Sequence, residues 1–306
     1  MLEIKYLKHS EIDTKKWNNC ITNAVNGIVY AYSWYLDIVN EEWEALMADD
    51  YSIVMPLTRN KKYGIQYLYQ PFFTQQLGVI STTVLNSNIV SDFIKAIPKH
   101  YKFYEINLNT FNKLDDFEIA KKTNITYELD LIQPYQKLAE NYAQNTKRNI
   151  KKAISSKVSI TNGIQPNQLI DLFSKNISEK VPELNKVHYN IIRKIMAVSL
   201  RFKIGELYGA YDSNNNLCGG AFFIRSHNKS IFLFSATTPE GKENGGMFLL
   251  IDSFIQKHSE NNLTLDFEGS NIEGLARFYS SFGAKSCEYF SLQKNMLPWY
   301  YKIFKS

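Results

Sequence analysis

Apolar and polar residues alternate along the chain in the periods of short strands and amphipathic helices, and one order of elements occurs twice. In each half, two apolar strands flank a short polar turn, as a β-hairpin requires. A helix with apolar residues at helical spacing follows, and then a strand that alternates apolar and polar residues. The predicted elements are strands 51–58 and 63–73, helix 90–100 and strand 103–109 in the first half, and strands 218–225 and 229–238, helix 249–258 and strand 263–269 in the second.

The order strand, strand, helix, strand, found twice, predicts two copies of one mixed α/β unit. Between the copies the sequence predicts strand 127–131, a long polar helix that begins after Pro134, a strand at 158–160 and two further helices. These three helices are predicted over 135–157, 166–174 and 183–203. We place the boundary near residue 142, which gives an N-terminal domain of residues 1–142 and a C-terminal domain of residues 143–306.

Composition indicates a folded protein. The 306 residues are 44% hydrophobic and 14% aromatic, whereas disordered chains contain few aromatics. No apolar run reaches the ~18 residues of a membrane span, and the first residues lack the apolar core of a signal peptide. The cysteines and histidines are scattered, which predicts reduced thiols and no metal site, so we expect a cytoplasmic protein. The cysteines are Cys20, Cys218 and Cys287.

Several stretches resemble one family. Tyr127-Glu-Leu-Asp-Leu, the basic Thr146-Lys-Arg-Asn-Ile-Lys-Lys-Ala and Val158-Ser-Ile resemble the centre of the FemAB-type transferases. Leu265-Asp-Phe-Glu-Gly-Ser and Gly274-Leu-Ala-Arg-Phe-Tyr-Ser-Ser-Phe-Gly resemble the ending of the same family. FemAB-type enzymes are tandem members of the GNAT acyltransferase superfamily. The resemblance implies two tandem GNAT-like domains, each a mixed, mostly antiparallel sheet with flanking helices, and an acyl donor between two splayed strands.

The chain departs from this family in two ways, and both concern the donor. It has no long coiled-coil insertion, which several aminoacyl-tRNA-dependent members carry. Tyr279 stands where the family signature has a lysine, and single-domain acetyltransferases often place a tyrosine there as general acid. The resemblance therefore implies an acyl thioester such as acyl-CoA as the donor, with aminoacyl-tRNA as the alternative.

Glu268 and Tyr279 are the candidate catalytic residues. Glu268 ends an apolar strand, where it could remove a proton from an attacking amine, and Asp266 is the competing choice. The resemblance implies that Tyr279 protonates the leaving group. The structural alternatives are a strand-end acid that caps a turn and an ordinary core aromatic.

The glycine-rich stretch Gly241-Lys-Glu-Asn-Gly-Gly-Met precedes a predicted helix. Backbone N–H groups at a helix start can hold a pyrophosphate, so this stretch is the candidate donor-binding loop, with a plain turn as the alternative. The corresponding Gln75-Gln-Leu-Gly78 lacks a glycine pair, so we expect a degenerate N-terminal domain on the acceptor side. The candidate donor-binding residues are Gly241, Lys242, Asn244, Gly245 and Gly246.

Two further groups are candidate substrate-binding residues. No acidic residue occurs from Asn141 through Ile170, and the helix there carries a basic face that could meet an anionic donor or acceptor, although such a face is often merely solvated. Gln75 and Gln76 lie in an aromatic stretch that suits either a small-ligand pocket or a structural loop. No sequence-specific nucleic-acid motif is present. The basic residues are Lys147, Arg148, Lys151, Lys152 and Lys157, of which Arg148, Lys151 and Lys152 share a face.

Together these features predict an N-acyltransferase that moves an acyl group to an amine by direct attack, without a covalent enzyme intermediate. One alternative is FemAB-like aminoacyl transfer from tRNA to a peptidoglycan precursor. The other is a non-catalytic ligand-binding module on the same fold. The acyl group, the acceptor and the oligomeric state are left open by the sequence.

Overall fold

The computed structural model describes residues 2–114, 120–176, 184–269 and 271–297, and contacts divide the chain into two compact units. The first unit is Met1–Ile125 with Glu288–Ser306, and the second is Thr126–Cys287.

Helices and short strands alternate in both units. The elements that begin before residue 126 are β1 (Lys5–Leu7), α1 (Thr14–Asn23), α2 (Ser33–Val39), β2 (Glu44–Ala48), β3 (Ile53–Leu57), β4 (Arg59–Lys62), β5 (Ile65–Leu68), β6 (Ile80–Ser81), α3 (Ser87–Lys95), β7 (Phe103–Asn107) and β8 (Ala120–Asp130). The later elements are α4 (Tyr135–Glu140), α5 (Gln144–Ser155), β9 (Ser159–Asn162), α6 (Pro166–Asn176), α7 (Lys186–Arg201), β10 (Gly205–Tyr211), β11 (Leu217–Ser226), β12 (Lys229–Thr237), α8 (Pro239–Asn244), α9 (Gly246–His258), β13 (Thr264–Gly269), α10 (Glu273–Ser280) and β14 (Lys285–Asn295).

The first unit contains two groups of paired strands. One is an antiparallel sheet in the order β1, β2, β3, β6. In the other, β5 pairs antiparallel with β4 and parallel with β7, and β7 pairs with the end of β14. Asn86 caps the N-terminus of helix α3, because its side chain accepts a hydrogen bond from the Ile89 N–H. Its apolar side buries Phe93 and Ile94 in the core.

The described strands of the second unit form one mostly antiparallel sheet in the order β9, β10, β11, β12, β13, β8, in which only the pair β12 and β13 runs parallel. Helix α9 lies on this sheet with an apolar side. Its Phe254 stacks on Phe223 of β11 with ring centroids 3.9 Å apart. The core continues to Phe267 of β13 and to Phe282, just after α10. Burial of these aromatics is the main stabilising contribution of this packing.

The units divide after residues 125 and 287, whereas the sequence pattern places one boundary near residue 142. Strand pairing accounts for the difference. Strand β8 follows the first repeat, but its residues from Thr126 pair with β13 of the second unit. Strand β14 follows the second repeat, but its residues Ser291–Asn295 pair with β7 of the first unit.

The repeat is present in the structure, because in each unit a hairpin is followed by a helix and by a strand parallel to the second hairpin strand. The hairpin predicted in the second half is confirmed as β11 and β12. The hairpin predicted in the first half is wrong, since β3 pairs with β2 and the partner of β5 is β4. The polar segment after Thr58, which was expected to be the turn of this hairpin, forms strand β4 (Arg59–Lys62). The actual turn is Tyr63-Gly64, and both of its residues have a positive φ.

The single helix predicted over 135–157 is wrong, because the structure has α4 and α5 with a break between them. Tyr142 in the break is buried, and its ring packs edge-on against Phe282 at 5.5 Å. The Ala143 N–H donates to the Ser281 carbonyl instead of continuing α4. The helix expected over 183–203 is α7, and residue 183 lies outside the described residues.

No helix among the described residues is long and apolar enough to cross a membrane. Cys20 and Cys218 are buried, and Cys287 is half-buried. Burial raises the pKa of all three thiols.

Candidate functional site

Strand β13 contains a β-bulge beside β8, at the position of the predicted base. Asp266 pairs with Glu128 and Gly269 pairs with Thr126, so two residues of β13 face one residue of β8. Glu268 in this bulge has a φ of +59°, in the left-handed region that non-glycine residues rarely adopt. Bulges and strained backbone are frequent at functional sites, where they redirect a side chain.

Asp266 is buried and fully engaged. Its side chain is 2% exposed, and its Oδ1 accepts hydrogen bonds from the Glu268 N–H at 2.9 Å and from the Thr126 hydroxyl at 2.7 Å. Its Oδ2 lies 3.3 Å from Lys229 Nζ. Lys229 also forms an ion pair with Glu128. Burial opposes the charge on Lys229, but Asp266 and Glu128 outweigh it, so its pKa is raised. Asp266, the competing choice for the base, is thus held in an ion network.

Tyr279 on α10 is 8% exposed, and its ring stacks on Phe267 with centroids 5.2 Å apart. The rings of Phe232 and Tyr127 lie at 6.3 Å. Burial raises the pKa of Tyr279 well above its ordinary value, and the charge of Glu268 raises it further. Glu268 directly follows Phe267, on which the Tyr279 ring stacks. The catalytic roles of Glu268 and Tyr279 stay predictions.

The predicted donor-binding loop is more structured than its sequence indicates. Residues 239–244 form the short helix α8, which Thr238 caps by accepting from the Gly241 N–H. Gly245 has a φ of +80°, and its N–H bonds to the Gly241 carbonyl. The Gly246 N–H donates to Asn244 Oδ1 at 2.8 Å. The Asn244 amide oxygen thus accepts the hydrogen bond that the Gly246 N–H would otherwise donate to a phosphate oxygen.

Close packing accounts for the glycines of this loop. A Cβ on Gly245 would lie 2.5 Å from the Asn149 carbonyl oxygen of α5, and one on Gly241 would collide with the Cys218 carbonyl oxygen. A Cβ on Gly246 would lie 3.1 Å from Asn244 Oδ1 and 3.5 Å from Ala210. Gly241 and Gly245 thus face neighbouring backbone, and the N–H groups of Gly241, Gly245 and Gly246 bond within the loop. The donor-binding role of the loop stays a prediction. The exposed Lys242 stands on the solvent side of α8.

The basic face on α5 is exposed as predicted from its helical spacing. Lys151 and Lys152 are exposed, and Arg148 donates to Asn145 Oδ1 of the same helix. Lys147 donates to the Glu140 carbonyl. Helix α5 packs on α9 and α8 through its opposite side, where Thr146 and Ala153 are buried. Charged side chains of one sign on an open helix face can meet an anionic ligand.

Gln75 and Gln76 lie in the first unit. Gln76 is 1% exposed; its Nε2 donates to Gln75 Oε1, and its Oε1 accepts from the Thr110 N–H. The Asn107 side chain donates to the Gln75 carbonyl. These contacts are of the kind that hold an irregular loop in place. The role of both glutamines in binding an acceptor stays a prediction.

The sequence did not identify Lys229, Glu128 and Thr126 as parts of the site. Their only sequence signal is polar character at strand positions that should be apolar in a buried sheet. Within the described residues, no group of three His, Cys, Asp or Glu side chains could hold a metal ion.

No protein-family model and no curated protein matches the sequence. Solved structures do match it. FemX has a TM-score of 0.66 at 12% identity, with 94% of this chain and 96% of that chain covered. A conserved protein of unknown function from Bacteroides thetaiotaomicron has a TM-score of 0.59 at 10% identity, with 96% and 100% covered. L-PGS from Bacillus licheniformis has a TM-score of 0.55 at 6% identity, with 95% and 94% covered.

At these identities the similarity shows the fold alone. The chain has a FemAB/GNAT-like fold with tandem GNAT architecture over nearly its whole length. The predicted fold class, two tandem GNAT-like units of mixed and mostly antiparallel sheet, is confirmed.

Proposed function

We propose that the protein is an N-acyltransferase whose catalytic site lies in the second unit at the bulge of β13. One observation carries the proposal: Glu268 is held in a strained left-handed conformation at the end of a strand, directly after Phe267, whose ring stacks on the buried Tyr279. A fold keeps such strain where the surroundings enforce it, and functional sites are the usual places. The FemAB/GNAT-like fold supports acyl transfer as the reaction class.

The proposed reaction begins with an ammonium group on the acceptor. The Glu268 carboxylate takes one proton from it, and the free amine attacks the acyl carbonyl carbon. As the bond to the leaving group breaks, Tyr279 donates its proton to the leaving atom. The new amide nitrogen loses its second proton to the Tyr279 phenolate, which restores the phenol, and Glu268 returns its proton to solvent. Such positioned proton transfers contribute about 10²–10⁴-fold each to a rate.

The site favours an ester donor over a thioester donor. A phenol whose pKa is raised by burial is a weak acid. It is poorly matched to a thiolate, whose conjugate acid has a pKa of about 8.5, and better matched to a strongly basic alkoxide. Aminoacyl-tRNA is an ester of a ribose hydroxyl, so it leaves as an alkoxide. The contact between Asn244 and the Gly246 N–H also counts against a pyrophosphate at the loop predicted to bind acyl-CoA.

Aminoacyl transfer from tRNA to an amine, such as that of a peptidoglycan precursor, is therefore the form of the reaction we favour. The exposed Lys151 and Lys152 are proposed to meet phosphates of this donor, because cationic side chains supply most non-specific affinity for nucleic acids. Acyl-CoA is the alternative donor, and a ligand-binding module without turnover is the alternative class.

Donor titrations test this choice. We would measure the binding of charged tRNA, uncharged tRNA, coenzyme A and acyl-CoA by calorimetry and thermal stability. We expect charged tRNA to bind, with an affinity that falls at least tenfold in the double variant Lys151→Glu/Lys152→Glu. The exposed Lys194 on α7 offers the control, and Lys194→Glu should bind normally. If acyl-CoA alone binds, the donor is a thioester and not an ester. If neither donor binds, the result contradicts acyl transfer.

A further inference from the structure

Asp266 and Glu268 stand two residues apart on β13, and regular alternation would place both side chains on the same face of the sheet. The bulge prevents this, because Phe267 and Glu268 together face Tyr127 alone. Asp266 keeps the regular position opposite Glu128, whereas Glu268 lies in the bulge beside Phe267, whose ring stacks on Tyr279. The two residues therefore occupy different positions in the strand pairing.

The Glu268 backbone N–H has lost its place in the β-ladder and bonds to Asp266 Oδ1 instead. An unpaired N–H in a buried strand would be costly, so the Asp266 side chain replaces the missing carbonyl of the ladder. The Thr126 hydroxyl donates to the same oxygen, and Thr126 itself is fully buried. Both donors fix the orientation of the Asp266 carboxylate.

The other oxygen of Asp266 faces Lys229 at the start of β12, which also pairs with Glu128. A buried carboxylate needs a counter-charge to remain ionised, and Lys229 supplies it. The four groups form a chain of contacts from Glu128 through Lys229 and Asp266 to the backbone of Glu268.

We infer that Asp266 is the positioning residue of this site: with Lys229 and Thr126 it holds the bulge that presents Glu268 to Tyr279. The inference rests on the proposed function for its catalytic meaning. Asp266 does not itself exchange protons with substrate, because it is 2% exposed and both of its oxygens are engaged.

The test follows the influence of Glu268 on Tyr279 and needs no donor or acceptor. The protein is labelled with ¹³Cζ-tyrosine, the Tyr279 resonance is assigned with Tyr279→Phe, and its shift is followed between about pH 3.5 and 7.5. Ionisation of Glu268 should produce a step in this shift, identified as the step that Glu268→Gln removes. The step then reports how closely the Glu268 carboxylate is held to the Tyr279 phenol.

We expect Asp266→Ala to lose at least half of the amplitude of the step, and Asp266→Asn to retain most of it, because the amide oxygen can still accept from Glu268 and Thr126. Asp252→Ala is the matched control, since Asp252 is a buried carboxylate of the same unit that bonds to Tyr135 and not to β13. If Asp266→Ala does not fold, Thr126→Val replaces it and should reduce the amplitude.

An unchanged step in Asp266→Ala, or in Thr126→Val where that variant is used, would overturn the inference. A wild-type protein without a step sensitive to Glu268→Gln would overturn it as well. Failure of the proposed function has a different signature: the step would behave as expected, but no donor would give a product.

Discussion

The ring of Tyr279 stacks on Phe267 with centroids 5.2 Å apart, so the predicted proton donor lies directly beside the residue that precedes Glu268. The bulge at this point gives Glu268 a φ of +59°. In the proposed reaction, one strand end and one helix supply both groups that amide formation needs.

Glu268→Gly should stabilise the protein and abolish transfer. Glycine adopts a positive φ without strain, so we expect the free energy of unfolding to rise by about 1 kcal/mol. Glu260→Gly is the matched control, because Glu260 has a φ of +62° and is exposed outside the site. It should stabilise the protein to a similar extent and leave transfer intact. Urea unfolding and a transfer assay give both quantities, and loss of stability in Glu268→Gly alone would argue against stored strain.

Tyr279→Phe should lower turnover by about 10²–10⁴-fold with little change in donor affinity, because only the proton-donating hydroxyl is removed. The stack on Phe267 is retained in this variant, so the melting temperature should stay near that of the wild type. Single-turnover kinetics separate turnover from binding. Equal turnover in the two proteins would remove Tyr279 from the mechanism.

Gly245→Ala should destabilise the second unit by about 1–3 kcal/mol. Its Cβ would lie 2.5 Å from the Asn149 carbonyl oxygen, and its φ is +80°. Gly274→Ala on α10 is the control, because nothing lies within 4 Å of its Cβ and alanine favours a helix, so a gain of up to about 1 kcal/mol is expected. Denaturant unfolding measures both. A Gly245→Ala variant that keeps its stability but loses donor binding would support the donor-binding role of this loop.

Glu206 should make stability fall in acid. Burial would raise its pKa, but His258 and Lys257 lower it to about 2, from an ordinary value of 4.5. A lowered folded-state pKa gives stability that is present above pH 4.5 and is lost as the pH falls towards 2. Glu206→Gln should remove this acid dependence, with a loss on the order of 2 kcal/mol at neutral pH. Urea unfolding at several pH values checks this, and parallel pH profiles of variant and wild type would contradict it.

Asp252 should have the opposite pH dependence. Burial raises its pKa, and the hydrogen bond from Tyr135 offsets this only in part. A raised folded-state pKa gives stability that is present below the unfolded pKa and is lost as the pH rises through the folded one. We therefore expect Asp252→Asn to flatten this loss as the pH rises above the ordinary pKa of an aspartate. The same unfolding series measures it, and an unchanged slope would show that Asp252 is ionised in the folded protein.

The sequence predicts those elements whose pairing is local. The hairpin of β11 and β12 is correct because its strands are adjacent in the chain and meet at His227-Asn228. The first hairpin failed because β3 pairs with β2, which precedes it, and no local pattern distinguishes the two partners. The break between α4 and α5 depends on Tyr142 packing against Phe282, a contact between residues far apart in the chain.

The residues of the candidate site also differ in whether a local stretch of sequence points to them. Glu268 and Tyr279 were proposed because they lie in one short stretch with a recognisable order of residue types, and their catalytic roles stay predictions. Lys229 and Thr126 could not, since they reach Asp266 only once β12 and β8 pair with β13. The role of the glycine pair stays a prediction, because glycines that serve close packing and glycines that serve a ligand have the same appearance in a sequence.

The most direct test of acyl transfer at Glu268 is formation of an amide product. Purified protein is incubated with charged tRNA or acyl-CoA and a set of amine acceptors, and amide products are identified by mass spectrometry, for the wild type and for Glu268→Gln. We expect an aminoacylated amine from charged tRNA in the wild type and a rate about 10²–10⁴-fold lower in Glu268→Gln. Equal rates in the two proteins, or no amide from either donor, would contradict the assignment.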